Sequence, residues 1–187
     1  IDGGVNYNSV PGHALLEIDV VSSTSKPIIK KIMTISRQIK NLEKEFKKFL
    51  DSDFFPPHPT LNIGLVRTYQ DHILIAGTCR IPPMISNETY EAWMSHLHSV
   101  CNENGSHFRV TDYKKPFRTK ETSDFVVACQ AELRALGLDD KPQTQPSTNE
   151  ASIFSRTGIE CLCFGPGKRE GNVHTPTEHV VIEDLHK

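Results

Sequence analysis

A chain of 187 residues with 37% hydrophobic and 24% charged side chains can bury a core, which excludes the disordered, collagenous and low-complexity classes. A net charge of -2 at pH 7 argues against a nucleic-acid-binding protein, which usually carries a basic stripe. Apolar runs are only a few residues long, far below the roughly 18 residues of a membrane span, so no membrane partner is expected.

The first elements alternate between strand and helix patterns. Ala14–Val21 is an apolar run typical of a strand. After a serine-rich break, apolar residues recur at helical spacing from Pro27 to Leu50, and Pro27 suits the first turn of that helix. Thr60–Val66 and His72–Ile81 are two strand patterns with a short connection, so we expect an antiparallel hairpin.

A second helix and a fourth strand complete this first part. Apolar residues from Tyr90 to Cys101 follow Ser86, which is a suitable N-cap, and His107–Val110 has the pattern of a short strand. The order strand, helix, strand, strand, helix, strand is the ferredoxin-like arrangement, with two helices on one face of a four-stranded antiparallel sheet.

The rest of the chain changes character. Ser123–Leu136 and Asn149–Arg156 have helical patterns, and Ile159–Phe164 is predicted as a buried strand. One strand with flanking helices cannot close a sheet, so we expect this part to belong to a larger α/β domain. The absence of an initiator methionine agrees with a chain taken from a longer protein. The predicted fold class is therefore α/β, with an α+β, ferredoxin-like domain and an incomplete α/β segment.

The five cysteines indicate a reducing compartment. Cys161 and Cys163 alternate along the predicted strand and should lie on the same face, where a mutual disulfide is geometrically awkward. We therefore expect free core thiols and a cytoplasmic protein.

A glycine-rich loop, residues 165–178, follows the predicted buried strand. Such loops commonly hold ligands in α/β proteins, because the strand fixes the loop and glycine allows close backbone approach. His174 is the only histidine in the loop, and imidazole is a common zinc ligand. A loop histidine held by hydrogen bonds is the alternative.

Several segments together carry a family resemblance, and they occur in the order Thr148–Phe154, Gly158–Ile159, Phe164–Gly167 and Asn172–Val180. This tail resembles the C-terminal end of the acetylornithine deacetylase, succinyl-diaminopimelate desuccinylase and carboxypeptidase G family of zinc amidohydrolases. Three earlier segments are similar to the entry strand, the arginine-ending strand and the return hinge of that family's lid domain: Gly12–Val21, His72–Pro83 and Lys115–Phe117.

The resemblance implies a bilobal metallopeptidase whose catalytic domain is interrupted by a lid. Residues 1–13 would end the N-terminal catalytic part, residues 14–115 would form the ferredoxin-like lid, and residues 116–187 would form the C-terminal catalytic part. The implied reaction is zinc-dependent hydrolysis of an amide bond in an N-acyl amino acid or small peptide. The family binds two zinc ions, which cobalt or manganese could replace, and a homodimer formed through the lid is compatible with this arrangement.

The resemblance also assigns residues to a site. It makes His174 a zinc ligand, and Asp2 stands where another metal carboxylate precedes the lid. Arg80 or Lys115 would hold a substrate carboxylate, although Arg80 can also be read as an exposed strand-end arginine. Further pocket-lining residues would be Asn149, Glu150, Gly165, Pro166 and Gly167.

The chain also departs from the family pattern. It carries no His-x-Asp segment and no Glu-Glu pair, and Ser22–Lys26 stands where the family has a lid histidine. The general base would therefore lie outside these residues, and we expect the chain alone to be inactive. Two alternatives are a non-catalytic dimerisation protein with a degenerate hydrolase remnant and a regulatory amino-acid-binding module.

Overall fold

The structure is a computed structural model that describes residues 1–8, 14–17, 25–145, 148–165 and 177–186, without the side chains of Ser25 and Lys26. Its elements in chain order are β1 Asp2–Gly3, β2 Ala14–Leu15, α1 Ser25–Phe46, β3 Thr60–Thr68, β4 Ile73–Arg80, α2 Asn87–Glu103, α3 Asp124–Ala135, α4 Ala151–Ser155 and α5 Ile182–Leu185.

The chain divides into two compact units. The first unit contains Ile1–Tyr113 and therefore the whole sheet with α1 and α2. The second unit contains Lys114–Thr144 and Thr148–Lys187, with the three remaining helices. None of the helices in the described ranges is long and apolar enough to cross a bilayer.

The sheet of the first unit is four-stranded and antiparallel, in the order β2-β1-β3-β4. The hairpin of β3 and β4 runs from the pair Thr60 and Arg80 to the pair Thr68 and Ile73, which confirms the predicted hairpin. A bulge interrupts the register at Gly64. A side chain at Gly64 would collide with the backbone carbonyls of Asn6 and Tyr7, so glycine lets the N-terminal segment cross β3 closely.

The tip of this hairpin is closed by contacts among neighbouring residues. The Tyr69 N–H donates to the carbonyl oxygen of His72 at 2.8 Å, and the two rings stack with centroids 4.7 Å apart. The side chain of His72 hydrogen-bonds the Asp71 carboxylate at 2.7 Å, and this bond lowers the pKa of Asp71. These contacts hold the connection short enough for the two strands to stay in register.

The core lies between the two helices of the first unit and the sheet. In α1, apolar residues at spacings of three and four place Ile39, Leu42 and Phe46 on one face, while the described lysines Lys30, Lys31, Lys40 and Lys44 are exposed. Phe46 is fully buried and its ring centroid lies 4.7 Å from that of Trp93 in α2. The predicted helix with Pro27 in its first turn is therefore confirmed, although it ends at Phe46 and not at Leu50. It buries the C-terminal part of its apolar stripe, at Leu42 and Phe46, whereas Ile28 stays exposed.

The second helix begins as its sequence predicts. The Ser86 hydroxyl accepts a hydrogen bond from the Thr89 N–H at 3.2 Å, which satisfies one of the unpaired donors of the first turn. We expect Ser86→Ala to lower the free energy of unfolding by about 1 kcal/mol, measured by urea denaturation. Ser95→Ala, at an exposed position inside the same helix, should change it by less than about 0.5 kcal/mol. Equal effects of the two substitutions would contradict the capping role.

The ferredoxin-like strand order is not what the structure shows. Asp2–Gly3 pairs with the edge of β3, and Ala14–Leu15 pairs with Asp2–Gly3 instead of with β4. The rest of the predicted first strand gives no strand at Leu16–Glu17, and residues 18–21 lie outside the described residues. Of the expected strands, the two hairpin strands and the start of the first strand belong to the sheet, and Asp2–Gly3 is an additional strand that was not predicted.

The strand predicted at His107–Val110 does not form, and this segment is irregular. Phe108 packs against the buried cluster formed by Leu42, Phe46, Ile81, Ile85 and Leu97. The Phe108 side chain thus anchors this segment to the core, while the backbone of the segment does not pair with the sheet. A four-residue alternation cannot distinguish these two outcomes.

In the second unit α3 and α4 lie where the sequence predicts helices, α5 was not predicted, and the described residues lack the buried strand. Ser123 caps α3 by accepting from the Val126 N–H at 3.3 Å. Ile159–Phe164 is irregular and mostly exposed, so the prediction of a buried strand is wrong. The physical reason is pairing: the described residues of this unit contain no strand beside which the segment could lie.

Candidate functional site

Four polar side chains share one face at the open end of the β3–β4 hairpin. Thr60 pairs with Arg80 and Asn62 pairs with Thr78 in the antiparallel register. Because side chains alternate across a strand, residues two apart lie on the same face, and paired residues lie beside each other. The hairpin therefore gathers two hydroxyls, one amide and one guanidinium into a single patch.

Residues from two other segments turn this patch into a pocket of about 300 Å³. Asn8 comes from the segment that crosses β3, and Phe55 and Pro56 come from the connection between α1 and β3. The Phe55 side chain is 84% exposed, so its ring has little packing within the described structure. The pocket thus has a polar floor on the hairpin and an apolar wall beside it.

The opposite face of the hairpin points to the helices and carries no charge near neutral pH. Leu61 on this face packs against the core cluster, and its strand partner is Cys79. Although the Cys79 residue keeps an exposed surface, desolvation of its thiol raises the pKa to about 11. Desolvation, with smaller contributions from Tyr113 and Cys79, raises the pKa of Tyr90 to about 12.

Among the described residues that line the pocket, Arg80 is the one with a charged side chain. A guanidinium presents parallel N–H donors that match the two oxygens of a carboxylate. The threonine hydroxyls and the Asn62 amide can donate to or accept from a neutral amide. No described lining residue is a histidine, carboxylate or cysteine, so this pocket is suited to binding a substrate and not to carrying the base of a hydrolysis.

The described residues do not supply a metal centre. Within the described ranges, no group of three or more histidine, cysteine, aspartate or glutamate side chains lies close enough to hold an ion. Asp2 lies in β1 with its side chain exposed, and one carboxylate oxygen is 3.8 Å from Nε of Arg67. His174 falls between the described residues 165 and 177. A zinc site therefore does not fit the described donors by themselves.

The other predicted site residues lie in the second unit. Asn149 precedes α4, where its Oδ1 accepts from the Ala151 N–H at 3.0 Å and its Nδ2 lies 2.9 Å from Sγ of Cys163. Glu150 is the exposed N-cap of the same helix. The structure thus brings the start of α4 against the segment that ends at Gly165.

For the remaining predicted substrate-binding residues, only the position in the chain and the exposure can be stated. Lys115 is exposed near the start of the second unit, and Gly165 is exposed at the end of a described range. Pro166 and Gly167 lie outside the described residues.

Sequence reasoning found Arg80 but missed its neighbours. Six other lining residues were not predicted as pocket residues: Asn8, Phe55, Pro56, Thr60, Asn62 and Thr78. One signal was present, because Thr60-x-Asn62 and Thr78-x-Arg80 are polar pairs at spacing two inside a predicted hairpin. The other three residues could not be found this way, since nothing in their local pattern states which strand they approach.

All five cysteines are free, as the sequence predicts. The expectation that they are core thiols holds for Cys101, which is buried, and for the desolvated thiol of Cys79, although that residue keeps an exposed surface; it is wrong for Cys163, which is exposed. Cys163 is exposed because the strand expected to bury it does not form.

Comparison with known proteins identifies the lineage of the chain. Residues 9–187 match the model of "Peptidase family M20/M25/M40". The chain is similar to the succinyl-diaminopimelate desuccinylase of Methylococcus capsulatus, at 30% identity over 100 residues that cover 52% of this chain and 26% of that protein. It is also similar to the acetylornithine deacetylase of Myxococcus xanthus, at 25% identity over 146 residues that cover 73% of this chain and 37% of that protein. The chain therefore spans only about a quarter to a third of the length of these curated relatives. No solved structure gives a significant match.

Proposed function

The chain belongs to peptidase family M20/M25/M40, and we propose that it is part of a zinc-dependent enzyme that hydrolyses an amide bond in an N-acyl amino acid or small peptide. The observation that carries this proposal is the family match over residues 9–187. The names of the two curated relatives support an acylated amino acid as the substrate class.

We also propose a division of labour along the chain. Residues 1–13 end an N-terminal catalytic part, residues 14–115 form a lid, and residues 116–187 form the C-terminal catalytic part. The separation of compact units after Tyr113 supports a boundary near this position. The exposed apolar residues of the second unit, among them Phe154, Ile159 and Phe164, support the view that further polypeptide completes this part.

Substrate binding is assigned to both parts. Arg80 binds the carboxylate of the amino acid, and its neutral polar surroundings support this role because they leave its charge available. Lys115 is a second candidate for that carboxylate. Residues proposed to line the substrate pocket in the C-terminal part are Asn149, Glu150, Gly165, Pro166 and Gly167.

The proposed metal ligands are not both among the described residues, because His174 lies outside them. We propose His174 and Asp2 as ligands in a site that holds two zinc ions, with cobalt or manganese as substitutes. The carboxylate of Asp2 is exposed, and its ion-pair partner Arg67 lies 3.8 Å away. The general base is assigned to polypeptide outside this chain, so the described residues perform no proton transfer in this proposal. A lid-mediated homodimer and a cytoplasmic location complete the proposal, and the five free thiols support the location.

The test compares two proteins under the same conditions. We expect the 187-residue chain to release no amino acid from N-acetyl or N-succinyl amino acids, with zinc, cobalt or manganese added, because its ligands and base are incomplete. The longest natural protein that contains these residues should hydrolyse at least one of these substrates. Amine release can be followed by derivatisation of the free amino group.

Each outcome decides a different part of the proposal. Turnover by the chain alone would overturn the claim that it is incomplete. A lack of turnover by the longest natural protein, over the whole substrate panel, would overturn the hydrolase function and favour a non-catalytic lid-like protein.

A further inference from the structure

We propose that the pocket beside Arg80 selects an N-acyl amino acid with one free carboxylate and an apolar side chain, and that Phe55 and Pro56 determine this specificity. The inference rests on the proposed function, since it names the substrate class of that site. It is carried by the composition of the pocket wall, which contains one cation, neutral hydrogen-bonding groups and an apolar edge.

The charge of the pocket limits the ligand to one anionic group. Arg80 is the cation among the described lining residues, and none of these residues is acidic. A second ligand carboxylate would be transferred from water into the pocket with no cation to pair with it. A ligand ammonium would likewise be transferred with no carboxylate to pair with it. Both transfers are unfavourable in a site that already contains apolar groups. The charge pattern therefore disfavours amino acids with acidic or basic side chains.

The neutral polar floor suits the acylated amino group. Thr60 is the strand partner of Arg80, so the two side chains are neighbours on one face of the hairpin, and Thr78, two residues before Arg80, lies on the same face. An N-acyl amino acid carries its amide next to its carboxylate. A ligand whose carboxylate is held at Arg80 thus presents its amide to hydroxyl groups that can donate or accept.

The apolar edge gives the pocket its preference for the side chain. The Phe55 ring is 84% exposed, although Phe46 and Phe54 in the same part of the chain are buried. Phe55 and Pro56 line the same pocket as Arg80, so a ligand held at Arg80 can place its side chain against them. Removing an aromatic ring and an apolar ligand side chain from water together is favourable, and a short or charged side chain gains less.

Binding can be measured on the 187-residue chain, because every described lining residue lies in the first unit. The probe is N-acetyl-L-phenylalanine, titrated into isotope-labelled chain and followed by amide chemical shifts. We expect shifts at residues 60–62 and 78–80. N-acetyl-L-phenylalaninamide lacks the carboxylate, and N-acetyl-L-ornithine carries an ammonium group. Each should bind roughly tenfold more weakly, because the first loses a charge-assisted pair and the second brings an unpaired charge.

Two variants with matched controls separate the charge from the apolar wall. Arg80→Met should weaken N-acetyl-L-phenylalanine roughly tenfold, whereas Arg109→Met, at another exposed arginine of the first unit, should not. Phe55→Ala should weaken N-acetyl-L-phenylalanine about fivefold and leave N-acetylglycine unchanged. Phe164→Ala removes a similarly exposed ring, at 80%, from the second unit and should leave both ligands unchanged.

The contrary results are equally specific. No binding of N-acetyl-L-phenylalanine, shifts confined to other residues, or equal affinity for the phenylalanine and ornithine derivatives would each overturn the inference. Because the assay measures binding and not turnover, these results would leave the proposed hydrolysis standing. Failure of the turnover test with these binding results intact would overturn the hydrolysis and leave the pocket specificity standing.

Discussion

Phe46→Ala is expected to lower the free energy of unfolding of the first unit by about 3–5 kcal/mol, because it removes a ring from a fully buried site. The ring packs at 4.7 Å from Trp93 and within the cluster that includes Leu42 and Leu97. Trp93 is the only tryptophan of the chain, so its fluorescence reports on this core during urea denaturation.

The matched control is Phe55→Ala, which removes the same side chain from a position where it is 84% exposed. We expect it to change the free energy of unfolding by less than about 0.5 kcal/mol. Comparable losses for the two variants would show that burial of Phe46 between the helices is not what stabilises the first unit.

His174→Ala is expected to remove bound metal from the longest natural protein that contains this chain. Loss of an outer-shell partner of a metal site already costs about 10–100-fold in affinity, and loss of a ligand should cost more. Zinc content after dialysis against a metal-free buffer, measured by elemental analysis, should therefore fall clearly below that of the unchanged protein. Hydrolysis of the acylated amino acids should fall with it.

His179→Ala is the control for this second experiment. His179 lies five residues further along the chain, is exposed, and has its Nδ1 2.9 Å from the carbonyl oxygen of Thr177. Its substitution should leave the zinc content unchanged. If His174→Ala retained the same metal as His179→Ala, His174 would be a loop histidine and the metal assignment would be wrong.

Elements with long periodic patterns were predictable from the sequence. The stripe that ends at Phe46 predicts α1, and the two alternating runs around Tyr69 predict the β3–β4 hairpin. Ser86 predicts the start of α2 because its hydroxyl satisfies a donor within its own helix. In each case the interactions that decide the element lie within a few residues of one another.

Elements that need a distant partner were not predictable. Ile159–Phe164 has a strand pattern, but the described part of the second unit contains no strand to pair with it. Asp2–Gly3 has no strand pattern of note, yet it pairs with both β2 and β3. A backbone joins a sheet when a neighbouring strand satisfies its hydrogen bonds, and local alternation does not reveal that neighbour.

The candidate site divides along the same line. The family resemblance pointed to Arg80, and the matched family supports the lineage on which that resemblance rests. Phe55 and Asn8 have no motif, and they became pocket residues only because their segments approach the hairpin.

By itself, the sequence determined the lineage, helices α1 to α4, the Ser86 cap and the hairpin, because these depend on residue identity and on contacts between near neighbours. The tertiary structure alone decided which strands border the hairpin and which apolar side chains stand beside Arg80. Those outcomes depend on which distant segments satisfy one another's hydrogen bonds and bury one another's apolar surface, and many chain paths are compatible with the same local pattern.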